Sequence, residues 1–157
     1  MARDRALVTR ALAHFATVPV LTVLGATRRN RLPIFALVLR DRGGVVMHQN
    51  LVTRLLSDRF GIQARGGCAC AGPYGHRLLG LGPAQGAAIR TAVLAGQEMA
   101  RPGWTRLNLS WVMPTATVDH ILTAVTRLAA EQATLAQGYL ADPATAPYAR
   151  APLPQTA

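Results

Sequence analysis

The chain has 157 residues, half of them hydrophobic, and a formal net charge of +10. A chain of this length fits one domain that can bury roughly 70% of its unfolded surface. Because half of the residues are hydrophobic, the composition excludes a disordered protein. No apolar run approaches the length of a membrane span, about 20 residues, which argues against a membrane protein. Residues 1–15 predict an amphipathic helix instead of a signal peptide, so we expect a cytoplasmic protein.

The basic residues are of one kind: all 17 are arginines, and the chain contains no lysine. They are scattered along the sequence, with only Arg28, Arg29 and Arg31 close together, and form neither a helical stripe nor a zinc-finger pattern. We therefore interpret the charge as a solvated basic surface and do not favour nucleic-acid binding. Because a Schiff base needs a lysine amine, this chain cannot hold a carbonyl cofactor as an internal aldimine.

The first half of the chain predicts a helix, two strands, a second helix and a short strand. Apolar residues at helical spacing predict the two helices, the second ending at Gly61. A β-branched stretch predicts the first strand, and a nearly continuous apolar run predicts a central strand covered on both faces. In chain order, the five predicted ranges are 1–15, 20–25, 32–41, 50–60 and 62–67.

The second half predicts a helix over 83–99, an alternating strand over 105–113 and a long helix over 115–138. In the strand, three apolar residues are predicted to face away from three polar ones: Leu107, Leu109 and Trp111 against Arg106, Asn108 and Ser110. Thr115 or Thr117 is the expected N-cap of the long helix. We predict one α+β domain over residues 1–140 and a mobile Pro- and Ala-rich tail over 141–157.

Both cysteines lie in one segment, ARGGCACAGPYGHR, at residues 64–77. One residue between Cys68 and Cys70 is a poor spacing for tetrahedral zinc, and His76 as a third ligand would leave a structural site one ligand short. The spacing also differs from the redox C-x-x-C motif and is too small to close a large disulfide loop. We predict no metal site, which leaves either a loop that presents a thiol or a tight turn with two small buried residues.

A family resemblance is carried by three segments in chain order: LPIFALVLRD, HQNLVTRLLSDRFGIQARGGCACAGPYGHRLLG and GWTRLNLSWVMPTATVDHILTAV. Over residues 3–145 the chain resembles the C-terminal small domain of class V aminotransferases, the pyridoxal-phosphate enzymes that include the cysteine desulfurases. The resemblance implies a small, mainly antiparallel sheet packed against helices, as in fold type I enzymes. It also implies that the cofactor and its Schiff-base lysine belong to a larger domain that this chain lacks.

The resemblance implies roles for two side chains. Arg106 matches the arginine that grips the substrate's α-carboxylate, for which a planar guanidinium is suited; otherwise it is an outward strand arginine on a solvated face. Cys70 matches the desulfurase thiol that attacks the sulfur of the cofactor-bound cysteine, and the neighbouring Arg65 would favour its thiolate. Cys68 and the following AGPYGHR depart from the desulfurase pattern and resemble uncharacterised class V aminotransferase-like members, so the resemblance does not assign the reaction.

His76 is the third candidate site residue. It can line the mouth of a substrate site and transfer protons near neutral pH. The favoured interpretation of Gly-Pro-Tyr-Gly-His is nevertheless a turn in which the ring of Tyr74 packs down.

The expected function is therefore that of a class V aminotransferase-like C-terminal domain with no activity of its own. It would be half of a split enzyme, a remnant of a broken gene or a free-standing module. The expected partner is a separate cofactor-binding large domain, without which exposed apolar surface predicts a homo-oligomer or aggregation. Pyridoxal phosphate is the family's cofactor, and none is expected to bind this chain covalently. The alternative is a basic module that binds anionic small molecules or nucleic acid.

Overall fold

Residues 2–68 and 72–151 are described in a computed structural model of the chain. Helices and strands alternate along them, with a short 3-10 helix at Glu98–Ala100. In chain order the elements are α1 (Ala2–Phe15), β1 (Leu21–Val23), β2 (Ile34–Leu39), α2 (Gln49–Phe60), β3 (Arg65–Gly67), α3 (Gly72–Leu79), α4 (Pro83–Leu94), β4 (Trp104–Asn108), α5 (Thr115–Leu135), β5 (Tyr139–Ala141) and β6 (Tyr148–Arg150).

The main sheet has the strand order β1–β2–β4–β3, and every pairing in it is antiparallel. The prediction of a small α+β domain is thereby confirmed, and β2 is an inner strand as expected. Phe35, Leu37 and Leu39 of β2 are buried on one face because side chains alternate along a strand. The other face is only partly covered: Val38 is buried, but Ile34 is 37% exposed. The prediction that this strand is covered on both faces is therefore wrong at its first residue.

Three helices, α1, α2 and α5, supply the other side of the hydrophobic core. Phe15 of α1 meets Phe35 of β2 edge to face, with ring centroids 5.6 Å apart. Burying each such side chain contributes about 1.5–3 kcal/mol. α2 ends where predicted, because Gly61 takes the left-handed conformation (φ 68°) and its N–H bonds to the carbonyl of Ser57. This packing buries one face of the sheet in the core, and we call the opposite face the outer face.

α5 is a long amphipathic helix, and its predicted apolar stripe is confirmed. The buried stripe residues are Val118, Ile121, Leu122, Val125 and Leu128. Its N-cap is Pro114 rather than Thr115 or Thr117, and no side chain caps the first turn. Within the described ranges, no helix is both long enough and apolar enough to cross a bilayer.

The strand around Arg106 is shorter than predicted. β4 ends at Asn108, so Leu107 and Leu109 are buried as expected while Trp111 is 53% exposed. The prediction for Trp111 is wrong because alternation holds only while the chain stays extended, and residues 111–112 form a turn.

The segment predicted as a mobile tail begins with a hairpin instead. β5 pairs with β6 in antiparallel register, and the side-chain amide of Asn50 donates to the Ala146 carbonyl at 2.9 Å. Asp142 closes the turn by accepting hydrogen bonds from Ala144 N and Thr145 Oγ1. Its pKa lies below the usual value because these hydrogen bonds, that from Thr145 first, stabilise the carboxylate. The polar side chains that order this segment lie in α2 and within the loop itself.

Candidate functional site

Arg106 lies on the outer face of the sheet. Its neighbours in β4, Thr105 and Leu107, are buried in the core, so alternation directs Arg106 to the opposite side, where it is exposed. The predicted direction of this side chain is therefore confirmed. Its predicted role as a carboxylate clamp remains a prediction.

Arg65 is the direct cross-strand neighbour of Arg106 in the β3–β4 pairing. Side chains at such positions have Cβ atoms about 4.5–5.5 Å apart, and like charges there are destabilising. On its other side Arg106 pairs with Ala36 of β2, a side chain too small to separate it from solvent. Arg65 and Arg106 thus place two guanidinium-bearing side chains in one row, and a guanidinium is the group that binds a carboxylate through two parallel hydrogen bonds.

The acidic residues do not neutralise this pair. All seven lie in the described ranges, and the contacts shown for six of them are with other groups. Four of them form ion pairs with other arginines: Arg10–Asp119, Arg54–Asp58, Arg101–Glu98 and Arg127–Glu131. In the part of the chain that the structure describes, no carboxylate pairs with Arg65 or Arg106. We call these two residues the arginine pair.

β3 is held against α2 by a glycine. A Cβ atom on Gly66 would lie 2.8 Å from Asn50 Oδ1 and 3.2 Å from the Gln49 carbonyl oxygen, too close for a side chain. Gly66 therefore has a packing role: it lets β3 lie close to α2, with Arg65 paired opposite Arg106.

One of the two cysteines, Cys68, lies within the described residues. Cys68 directly follows β3 and is a half-buried free thiol. Cys70, the predicted nucleophile, lies outside the described residues. Its assignment therefore rests on the resemblance alone.

His76 belongs to α3 and not to a turn, so the prediction of a turn at Gly-Pro-Tyr-Gly-His is wrong. Its ring packs against Gly86 of α4, where an added Cβ would meet the ring at 3.0 Å. Tyr74 is 63% exposed, which also contradicts the predicted inward packing of its ring. His76 and Cys68 line one cleft of about 420 Å³ between α3 and α4, and Arg106 is not among the residues lining it. The structure thus brings His76 near a cysteine and not near the predicted carboxylate clamp.

Arg101 also lines the cleft that contains His76 and Cys68, and the sequence analysis did not single it out. It forms a two-pronged hydrogen bond with Glu98, both contacts at 2.8 Å, which lowers the pKa of that carboxyl. The spacing of three residues, acid before base, was the available signal.

The residues present do not make a complete pyridoxal-phosphate site. The arginine pair suits the carboxylate of an amino-acid substrate, but the chain has no lysine to form the Schiff base. Among the described residues, no three His, Cys, Asp or Glu side chains gather in a way that could hold a metal ion.

No protein-family model matches this chain, and no curated protein sequence matches it significantly.

Proposed function

We propose that this chain is the small C-terminal domain of a class V aminotransferase-like pyridoxal-phosphate enzyme. Its part in the reaction is to bind the substrate's α-carboxylate through Arg106, with Arg65 as the second cation. Alone it has no catalytic activity. It works together with a large domain that carries the Schiff-base lysine.

The arginine pair is the observation that carries this proposal. Arg65 and Arg106 are in register and exposed on the outer face of the sheet, and no described carboxylate forms an ion pair with them. Like charges directly opposite each other are destabilising, and a bound anion would relieve their repulsion. A planar carboxylate with two acceptor oxygens fits it.

Uncovered apolar surface supports a missing partner. α4 contains no buried residue although it is rich in apolar side chains, and Leu94 at its end is 76% exposed. Ile34, on the outer face, is also exposed. A stable monomer rarely leaves a helix without any buried face, so we infer that the large domain covers α4 and part of the outer face.

The pyridoxal cofactor, when bound to the large domain, supplies the electron sink for chemistry at the substrate's α-carbon. This chain's residues bind and orient the substrate by its carboxylate. Cys70 is the residue that the resemblance assigns to thiol chemistry, with Cys68 two positions before it.

Reconstitution tests the proposal. The chain is mixed with a separately expressed large domain of a class V enzyme, and complex formation is followed by gel filtration and substrate turnover by absorbance. We expect a complex in which Arg106→Gln lowers kcat/KM by the equivalent of about 2–4 kcal/mol, the scale for a desolvated charge-assisted pair.

Two controls make the result decisive. Borohydride reduction should attach the cofactor to the large domain and leave the mass of this chain unchanged. Arg42→Gln, an exposed arginine away from the arginine pair, should match the parent. Failure to form any complex would contradict the half-enzyme proposal, and equal kinetics for Arg106→Gln and the parent would contradict the clamp.

A second candidate, a free-standing module for polyanions such as nucleic acid, is favoured by the excess of 17 arginines over seven acidic residues. Such a module would bind the polyanion with an affinity whose logarithm falls linearly and steeply with the logarithm of the salt concentration. Absence of such binding at low salt would eliminate it.

A further inference from the structure

A second cleft, of about 500 Å³, opens where the C-terminal end of β2 meets the start of β4. Its size is within the range of ligand sites, roughly 300–1,000 Å³. Thr22, Val38 and Arg40 form its floor, and the end of α3 with the 3-10 helix forms its sides. Neither member of the arginine pair lines it, so this cleft is separate from the proposed carboxylate clamp.

The walls of the cleft are aliphatic. No aromatic ring other than the imidazole of His48 is among the described residues that line it. The apolar side chains are Leu24, Val38, Val46, Leu78, Leu79, Leu81, Met99 and Pro102. A flexible alkyl body fits such walls, whereas a flat ring would find no aromatic face on which to stack.

The charged groups of the cleft are all cations. The polar side chains that line it are the guanidinium groups of Arg40 and Arg101, the imidazole of His48, the amide of Gln49 and the hydroxyl of Thr22, and no acidic side chain lines the cleft among the described residues. The Gln49 amide nitrogen is already engaged with the Arg101 carbonyl oxygen at 3.3 Å. The complementary ligand group therefore carries a negative charge.

His48 contributes one donor of known position. Its Nδ1 accepts a hydrogen bond from Asn50 N at 3.2 Å as the N-cap of α2, so the ring proton of the neutral form is on Nε2. Partial burial lowers the pKa of His48, which keeps the ring neutral at pH 7. The amide nitrogen of Gln49 lies 3.5 Å from Nε2 of His48. Because this nitrogen is itself a donor, it cannot accept the proton on Nε2. A ligand oxygen in the cleft would accept it.

Arg40 supplies the charge. It is exposed, donates one hydrogen bond to the Gly44 carbonyl at 3.0 Å, and forms no ion pair with any described residue. The charge of Arg101 is already balanced by Glu98. One uncompensated cation and one neutral donor that line the same cleft suit a single negative charge.

We propose that this cleft binds a medium-chain aliphatic carboxylate, with the alkyl chain against Val38, Val46 and Met99 and the carboxylate at Arg40 and His48. This proposal does not depend on the proposed enzyme function, because neither Arg65 nor Arg106 lines the cleft. Either assignment can therefore fail without the other.

Titration calorimetry of the full chain with octanoate tests the proposal. We expect saturable binding with a Kd below about 1 mM. Octan-1-ol, which has the same chain but no charge, and butyrate, which has the charge but a short chain, should each bind at least about tenfold more weakly.

Matched variants locate the site. Arg40→Gln should weaken octanoate binding about tenfold, whereas Arg42→Gln, two residues away and outside the cleft, should not. Val46→Asp should abolish binding by placing a carboxylate in the cleft, whereas Val45→Asp, at an exposed position outside it, should not. If Val46→Asp fails to fold, the arginine variants alone decide the question.

Three results would overturn the proposal. The first is that octanoate shows no saturable binding up to about 10 mM, tenfold above the expected limit of Kd. The second is that octan-1-ol binds as tightly as octanoate. The third is that Arg40→Gln binds octanoate with unchanged affinity. A dimer that dissociates in Val46→Asp but not in Val45→Asp, together with no octanoate binding, would instead make the cleft a contact between two copies of the chain.

Discussion

Removing one member of the arginine pair should stabilise the fold. Arg65 and Arg106 are directly opposite across two strands, and no described carboxylate compensates them. Two like charges about 6–7 Å apart in water repel each other by about 0.6–0.7 kcal/mol, which is within the range of about 0.2–1 kcal/mol for cross-strand pairs. Arg106→Gln should therefore raise the free energy of unfolding by about 0.6 kcal/mol at low salt.

Urea denaturation followed by circular dichroism measures this gain, and a double-mutant cycle isolates it. Arg65→Gln should give a similar gain, and the double variant should gain less than the sum, because only one repulsion exists to be removed. In 1 M salt, where the Debye length is about 3 Å, the gain should largely vanish. Additive effects of the two substitutions, or a gain that is insensitive to salt, would refute the reasoning.

Three further predictions concern packing, protonation and association. Gly66→Ala should cost about 2 kcal/mol in urea denaturation, since the new Cβ would displace Asn50 from its bond to the hairpin; an unchanged midpoint would contradict the close packing of β3 on α2. Because burial lowers the pKa of His48, stability should be constant above about pH 6.5 and fall as the pH drops below it. His48→Asn keeps the N-cap and should flatten this fall, and equal pH profiles would contradict the assignment. Light scattering should show self-association of the isolated chain that increases with salt, as screening reduces repulsion at net charge +10; a monomer near 17 kDa at low and high salt would speak against uncovered partner surface.

The helices that cover the core were predictable because their signals are local. α2 has leucines at helical spacing and a glycine at its end, and α5 has a long apolar stripe. α3 was missed because Gly-Pro-Tyr-Gly-His has poor helix formers, and its helix depends on packing with α4, where His76 meets Gly86. Local propensity predicts a turn there, and tertiary contact decides otherwise.

The site was only half predictable for a similar reason. The direction of Arg106 follows from the alternation of its own strand. Its pairing with Arg65 depends on the register between strands almost 40 residues apart in sequence, which no local pattern specifies. The cleft at the other end of the sheet joins Arg40, His48 and Met99 from three separate segments, and it too becomes visible only in the folded chain.

The central claim is that the arginine pair binds a carboxylate. The most direct measurement is a nuclear magnetic resonance titration of the arginine side-chain Nε–H signals with acetate, with acetamide as the uncharged control and chloride at equal ionic strength. The signals of Arg65 and Arg106 should move together and saturate with acetate alone, and Arg106→Gln should abolish the shift at Arg65. Equal small shifts at all arginines, or shifts that chloride reproduces, would contradict the claim.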